Sequence, residues 1–319
     1  MYISHTDFQE ERGKMSYTSN IKNEILNLEY SETELISELS AIVNISGEIT
    51  KNEFSIYTEN IGVSRRIYKL IKDLFGVEVN IEKEEINRLN KNYLLHIKVK
   101  DAEKILKALN IIDEKGRRKY KPDKFLCENV EEKKSYLRGA FLICGSVNDP
   151  KTSRYHLEFI IDNKIIAEYI NDLLNELNFS SKILKREKHF MVYIKESEKI
   201  SDFIKLLNAY NNLFYYEDIR IYRDHKNMTN RLNNCEQANI DKIVFSSNEQ
   251  LENIKKLKER EDFDLLDDKI KEICLYKEKY PESSMQELAE IMSIETNNKI
   301  TKSGVNHRFR KIKEMVKDK

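Results

Sequence analysis

Apolar residues along the chain recur at two spacings, one typical of helices and one typical of strands. A first helix is predicted from about Thr18, with Ser19 or Asn20 as its N-cap. A second helix opens at Ser31 with a capping box and ends at Gly47. The elements predicted after Gly47 are strands at 48–49 and 53–58, a helix at 64–75, strands at 77–82 and 93–99, and a helix at 101–109.

The same order of elements returns further along the chain. Gly47 matches Gly145 at an offset of 98 residues, and Glu103 matches Glu198 at an offset of 95. A near-constant offset of this length indicates an internal duplication that builds one pseudo-symmetric domain rather than a solenoid. The second set comprises helices at 133–144, 164–177 and 198–207 and strands at 155–161, 181–186 and 190–194.

These patterns predict four segments of different character. Residues 1–16 are expected to be a disordered extension, and 219–258 a linker that is polar at first and helical only from Asn248. The duplicated domain is expected at 17–218, with halves at about 17–110 and 130–218. Residues 259–319 are predicted to be all helix, with helices at 264–279, 284–292 and 303–316. The predicted fold class is therefore α+β, a duplicated pseudo-symmetric domain followed by an all-α helix-turn-helix domain.

The composition excludes several classes of protein. With 40% hydrophobic and 34% charged residues, the chain can build packed cores and still dissolve. No window approaches the run of about 18 apolar residues that a transmembrane helix needs. The polar N-terminus lacks the apolar region of a secretory signal, so we expect no membrane partner and a cytoplasmic location. Nucleotide-binding, acyl-transfer and metalloprotease motifs are missing from the sequence, so no enzyme of those classes is expected.

The cysteines indicate neither a metal site nor a disulfide framework. Cys127, Cys144, Cys235 and Cys274 are too far apart in sequence for the short ligand spacing of a structural zinc site. Disulfides are rare in a reducing cytosol, so we expect the four cysteines to be small, buried apolar residues. We therefore predict no metal and no other cofactor.

Charge is distributed unevenly along the chain. The 55 basic and 55 acidic residues cancel overall, yet eight basic residues face only two acids between Lys299 and Lys319. A local basic element of this kind is the footprint of phosphate binding, although a solvated helical tail has the same composition. A second basic group, Arg65, Arg66, Lys69 and Lys72, is expected to be a solvated helix face.

Two nine-residue segments, Leu39–Gly47 and Leu137–Gly145, occupy matching positions in the two halves. Each has a small residue in mid-helix, Ala41 or Gly139, which allows helix backbones to approach closely. Each ends at a glycine, a residue that can take a positive φ. The pair predicts two helices packed together at the centre of the domain. In this respect the chain resembles the LAGLIDADG homing endonucleases in their duplicated single-chain form.

This resemblance also exposes a difference. In active members of that family the eighth residue of each segment is acidic, and the two carboxylates hold a divalent metal beside the scissile phosphates. The equivalent residues here are Ser46 and Cys144. Magnesium prefers hard oxygen ligands, and a thiol is a poor one. The resemblance therefore implies a degenerate scaffold with no catalytic residues, no metal and no nuclease activity.

Longer strings in a fixed order, from about Ser16 to the C-terminus, are 58–60, 136–142, 145–150, 155–158, 230–231, 234–239 and 302–311. With these strings the chain resembles the WhiA family of bacterial transcriptional regulators. That family joins a degenerate LAGLIDADG-like domain to a C-terminal helix-turn-helix and is implicated in sporulation and cell division. These roles, and double-stranded DNA as the partner, are implied by the resemblance, with RNA polymerase or another transcription factor as a further candidate partner on the nucleoid.

The C-terminal helices support DNA binding independently of the resemblance. Ser284 and Ser303 are predicted to cap two helices whose connecting turn, Ser293–Thr301, is longer than a minimal helix-turn-helix turn. Residues early in a recognition helix face the major groove, so Asn306, His307 and Arg310 are the candidates for base contacts. An ordinary three-helix interaction module is the alternative. The candidate phosphate contacts within Ser284 to Lys317 are Lys302, Arg308, Lys311 and Lys313.

Other readings of the chain stay open at this point. The strand pair that carries Lys182, Lys185, Arg186 and Lys188 corresponds to the DNA-facing surface of homing endonucleases, so it is a secondary candidate for DNA contacts. The leading hypothesis is a sequence-specific DNA-binding transcriptional regulator. The alternatives are an active LAGLIDADG-type endonuclease and a protein-interaction scaffold in cell division.

Overall fold

The structure is a computed structural model that describes residues 15–50, 52–85, 93–152 and 154–317. It divides into two compact units, Met1–Tyr222 and Arg223–Lys319. Most of the predicted extension at 1–16 lies outside the described residues. The first helix, α1, begins at Tyr17, and its N-cap is Ser16 rather than Ser19 or Asn20, because the Ser16 side chain accepts a hydrogen bond from the amide of Ser19.

The first unit contains two halves with the same order of elements. The first half comprises α1 (Tyr17–Ile25), α2 (Glu32–Ser46), β1 (Glu48–Ile49), β2 (Phe54–Thr58), α3 (Ile61–Phe75), β3 (Asn80–Glu85), β4 (Tyr93–Val99) and α4 (Glu103–Ala108). The second comprises α5 (Val130–Cys144), β5 (Gly145–Val147), β6 (Leu157–Ile161), α6 (Lys164–Glu176), β7 (Lys182–Arg186), β8 (His189–Ile194) and α7 (Ser197–Leu206).

Each half forms one antiparallel four-stranded sheet. The strand order is β1-β2-β4-β3 in the first sheet and β5-β6-β8-β7 in the second. Successive residues of a strand point to opposite faces, so Phe54 and Ile56, or Leu157 and Phe159, enter the core together. The identical strand order confirms the duplication that the sequence pattern predicts.

The helices α2 and α5 pack against each other at the centre of this unit. A Cβ atom added to Gly139 would lie 2.2 Å from the carbonyl oxygen of Glu38 and 3.0 Å from the Cβ atom of Ala41. The backbones therefore touch at the two small residues, as predicted. Only a residue without a side chain allows this approach at position 139.

The glycines that end these helices serve a different purpose from the one expected. Gly47 and Gly145 have φ angles of −74° and −85°, so neither takes a positive φ. A Cβ at Gly47 would lie 2.4 Å from the carbonyl oxygen of Val43, and one at Gly145 would lie 2.3 Å from the ring of Phe141. Glycine provides space here, where the chain turns sharply from helix into strand.

The second unit is helical. The boundary between the units falls within α8 (Tyr210–Lys258), and α9 (Asp268–Lys279), α10 (Met285–Thr296) and α11 (Lys302–Lys317) follow. Short 3-10 turns occur at Lys124–Cys127 and Phe263–Leu265. The core of this unit joins all four helices through buried apolar residues, among them Ile254, Ile273, Leu288 and Phe309.

The predicted secondary structure of 219–258 is wrong at its start. The segment is helical from Tyr210 and does not wait for Asn248. The segment from Tyr210 to Lys258 contains neither glycine nor proline, so no residue of these helix-breaking types interrupts the hydrogen bonding of α8. The segment is rich in asparagine, which is typical of loops, but it is helical. The domain boundaries drawn at 218 and 258 stay predictions.

No helix in the described parts of the chain is long and apolar enough to cross a membrane.

Candidate nucleic-acid interface

The helix α11 has one buried face and one exposed face. Val305, Phe309 and Ile312 are buried against the other helices of the second unit. Ser303, Asn306, His307 and Arg310 are exposed. These four residues follow the spacing of one helical face, so their side chains form one stripe opposite the core. The structure thus brings together the three side chains predicted to contact base edges.

The start of α11 differs slightly from the prediction. The N-cap is Thr301 rather than Ser303, because the Thr301 hydroxyl oxygen accepts a hydrogen bond from the amide of Gly304 at 3.2 Å. Lys302 and Ser303 therefore lie in the first turn of the helix. The amides of that turn lack partners within the helix, which makes a helix N-terminus suitable for a phosphate.

The turn before α11 is shorter than predicted. Helix α10 continues to Thr296 and ends at Asn297, which has a φ of 54°. Ser293 lies within this helix, and its hydroxyl donates to the carbonyl oxygen of Ala289 at 2.6 Å. The hydroxyl oxygen of Ser293 accepts a hydrogen bond from the amide of Ile300 at 2.9 Å. The turn from helix to helix thus covers residues 297–301 and is pinned to α10 by one serine.

The four predicted phosphate contacts fall into two pairs. Lys302 and Lys311 are exposed, and neither forms an ion pair within the residues described. Arg308 donates to Glu272 at 2.7 Å and its side chain is only 16% exposed. Lys313 forms an ion pair with Glu249. Arg308 and Lys313 therefore already have carboxylate partners that a phosphate would have to replace.

The positions equivalent to metal ligands carry neutral groups. The Ser46 hydroxyl donates to the carbonyl oxygen of Ile42 at 2.8 Å, and the Cys144 thiol donates to that of Ala140 at 3.3 Å. Burial raises the pKa of the Cys144 thiol to about 12, although the nearby ammonium of Lys22 opposes the shift. Burial also lowers the pKa of Lys22 to about 8. The side-chain hydroxyl and thiol at the two helix ends thus each donate a hydrogen bond to a backbone carbonyl of their own helix. Among the described residues, no three histidine, cysteine, aspartate or glutamate side chains lie together where they could hold a metal ion.

A buried charge cluster holds the centre of the first unit, and the sequence analysis missed it. Glu38 is fully buried and accepts hydrogen bonds from Arg138 at 2.7 Å and from Arg66 at 3.0 Å. Arg138 also donates to Ser135 at 2.8 Å and stacks over the ring of Tyr30. The prediction that Arg66 is a solvated residue is therefore wrong, because its partner lies on a helix distant in sequence. One available signal was Arg138 itself, an arginine inside a closely packed helix motif.

The secondary candidates on the second sheet do not share one face. Lys182 pairs with Tyr193 and Arg186 with His189, so both lie on the face of the sheet opposite the buried Phe159 and Val192. Lys185 points to the opposite side because strand residues alternate, and Lys188 lies in the turn between β7 and β8. The four basic residues are close together in sequence, but they do not form one basic surface on one face of the sheet.

The equivalent solvent face of the first sheet is acidic. It presents Glu48, Glu82 and Glu84 beside Lys98, and Glu84 lies 3.1 Å from His96. Phosphates would be repelled by such a face. Among the residues that the structure describes, the outer faces of the two sheets therefore do not form one continuous basic surface.

Three family models match the chain. The WhiA N-terminal LAGLIDADG-like domain matches residues 32–112, the WhiA LAGLIDADG-like domain matches 133–226, and the WhiA C-terminal HTH domain matches 229–316. The third match begins well inside the segment predicted to be a linker. Together they cover most of the chain.

Curated relatives and solved structures agree with these matches. A probable cell division protein WhiA of Staphylococcus aureus is 40% identical over 308 residues, covering 95% of this chain and 96% of the relative. The full-length DUF199/WhiA structure from Thermotoga maritima is 22% identical, covers 96% of this chain and 99% of that one, and has a TM-score of 0.57. The structure of the N-terminal LAGLIDADG domain of DUF199/WhiA gives a TM-score of 0.50 at 22% identity over 61% of this chain and 91% of that one. With matching models along its length and a relative of this identity and coverage, the chain belongs to the WhiA family.

Proposed function

We propose that this protein is a sequence-specific DNA-binding transcriptional regulator without nuclease activity, and that its process is cell division. The observation that carries the proposal is the exposed stripe of α11, where Asn306, His307 and Arg310 stand clear of the core. An amide, an imidazole and a guanidinium are groups that hydrogen-bond to base edges in the major groove. The name of the Staphylococcus aureus relative supports cell division as the process.

The charge pattern supports DNA as the ligand. Lys302 and Lys311 flank the stripe without ion pairs in the described chain, and six net positive charges lie between Lys299 and Lys319. Phosphate contacts of this kind provide affinity without sequence information, whereas the stripe provides the discrimination between sequences. Such a division of labour is what a regulator that searches along the nucleoid requires.

The chemistry at Ser46 and Cys144 supports a protein that does not cut DNA. A backbone-bonded hydroxyl and a half-buried thiol offer a divalent metal no carboxylate oxygen at either helix end. Supercoiled plasmid incubated with pure protein and magnesium should stay supercoiled. Magnesium-dependent nicking that disappears in a Ser46→Ala, Cys144→Ala double variant would contradict this part of the proposal.

An in vitro selection tests the main proposal. Fragments of the source genome are captured with full-length protein and sequenced, in parallel with an Asn306→Ala, Arg310→Ala variant. Wild type should enrich a small set of fragments with a shared motif, and the variant should lose that enrichment while it retains DNA binding at low salt. Lys256→Gln is the matched control because this lysine is exposed on α8 and is not a residue of α11. Equal enrichment by wild type and the stripe variant would contradict the proposal.

A further inference from the structure

A small cavity in the second unit gathers three lysines from three different helices. Lys242 of α8, Lys277 of α9 and Lys302 of α11 line it, together with Ser284 and Gln286 at the start of α10. Its volume is about 250 Å³. The hydroxyl of Ser247 donates to the carbonyl of Pro281, which holds this part of α8 against the segment between α9 and α10.

The positive charge of this cavity is only partly neutralised. Lys242 and Lys302 are exposed and form no ion pair with a described residue. Lys277 is only 2% exposed, and its ammonium donates to the carbonyl oxygen of Ser283 at 2.8 Å. One carbonyl satisfies one of the three donors of an ammonium. The acid whose charge acts on Lys277 is Glu287, and its carboxylate accepts a hydrogen bond from the amide of Ser284 at 2.7 Å.

The backbone at the start of α10 adds further donors. The capping box uses the amides of Ser284 and Glu287. The amides of Met285 and Gln286, between them, have no partner within the helix. Lysine ammonium groups that converge with free amides on one small cavity have the chemistry of a phosphate site.

We propose that this cavity binds one phosphate of the DNA backbone, next to the bases that α11 reads, and that Lys242 is a DNA-contacting residue. The inference rests on the proposed function. Lys302 supports it because this residue is both a wall of the cavity and the first residue of α11, so a duplex that reaches α11 brings its backbone to the cavity. The volume also fits, since sites for small organic ligands measure about 300–1,000 Å³ and a phosphate needs less.

The salt dependence of binding by the full-length protein tests the inference. Affinity for a labelled random-sequence duplex is measured by fluorescence anisotropy over a series of KCl concentrations, because a phosphate contact does not depend on sequence. The logarithm of the binding constant falls as the logarithm of the salt concentration rises, and each lost phosphate contact makes this fall shallower by about 0.9. Lys242→Gln should make the salt dependence shallower by that amount. Lys242→Arg, which keeps the charge, should retain the wild-type salt dependence, and so should the control Lys256→Gln on the same helix. In a Lys242→Gln, Lys302→Gln double variant the loss of affinity should be smaller than the sum of the single losses, because both lysines act on one phosphate.

The outcomes separate the inference from the function beneath it. If wild type binds with a steep salt dependence and Lys242→Gln matches Lys256→Gln, the cavity proposal is wrong and the regulator proposal stands. If wild type shows no salt-dependent binding, the proposed function itself fails. A free anion is the other source of phosphate. A rise in thermal stability of wild type in inorganic phosphate, absent in the double variant and accompanied by an unchanged DNA slope in Lys242→Gln, would assign the cavity to a free anion and overturn the proposal.

Discussion

The close approach of α2 and α5 predicts the effect of a single methyl group. In Gly139→Ala the new Cβ atom would lie 2.2 Å from the carbonyl oxygen of Glu38, a backbone atom inside a packed helix. Cβ contacts under 3.0 Å essentially never occur, so the helices must separate by several tenths of an ångström and loosen their whole interface. Overpacking of this kind costs about 1–3 kcal/mol, and alanine regains about 1 kcal/mol of helix propensity. A clash with a backbone atom lies at the upper end of that range, so we expect a net destabilisation of the first unit by about 2 kcal/mol.

Urea unfolding followed by circular dichroism measures this effect. Gly304→Ala is the matched control, because the nearest heavy atom to its new Cβ would be the Thr301 hydroxyl at 3.6 Å. The control should be neutral or slightly stabilising in the transition of the second unit. An unfolding midpoint of Gly139→Ala equal to that of wild type would refute the close-packing argument. A loss in both variants alike would show that the effect belongs to glycine replacement in general.

Three further changes have expected outcomes. Glu38→Gln leaves Arg66 and Arg138 buried without a carboxylate and should cost about 3–5 kcal/mol in urea unfolding; a loss below 1 kcal/mol would contradict the role of this cluster. Iodoacetamide at pH 8 should label the exposed Cys235 first, and the half-buried Cys144, whose pKa desolvation raises to about 12, should react much more slowly; mass spectrometry that finds Cys144 labelled as fast as Cys235 would contradict the raised pKa. Arg308→Ala removes a contact to Glu272 and should lower stability and DNA affinity together, whereas Lys311→Ala should lower affinity alone, as melting curves and anisotropy would show.

The duplicated fold could be predicted from the sequence because its determinants are local and repeated. The small residues Ala41 and Gly139, the terminal Gly47 and Gly145, and the alternating strands each leave a trace in a short window. The same order at a constant offset then identifies the pseudo-symmetry. Such a pattern predicts the fold even though Ser46 and Cys144 stand where homing endonucleases have metal-binding carboxylates.

The features that were missed depend on contacts between distant residues. No local pattern reveals that Arg66 meets Glu38, because the two belong to different helices and a basic helix face has the same spacing. The helical start of α8 was missed since its asparagines are typical of loops, and the absence of glycine and proline was the better guide. Helix caps such as Thr301 shift by one or two residues from sequence predictions because several neighbouring residues can serve. The convergence of Lys242 with Lys302 needs the tertiary structure.

The central claim is that α11 reads DNA sequence, and the affinity of Arg310→Ala for a selected site tests it most directly. Anisotropy titrations of full-length protein compare the selected duplex with a scrambled duplex at one salt concentration, with Arg186→Ala on the second sheet as the matched arginine control. Arg310→Ala should lose about 1–3 kcal/mol on the selected site and less on the scrambled one, whereas Arg186→Ala should keep the wild-type ratio between the two. If Arg186→Ala collapses that ratio and Arg310→Ala preserves it, sequence is read by the sheet of the first unit and the account is wrong.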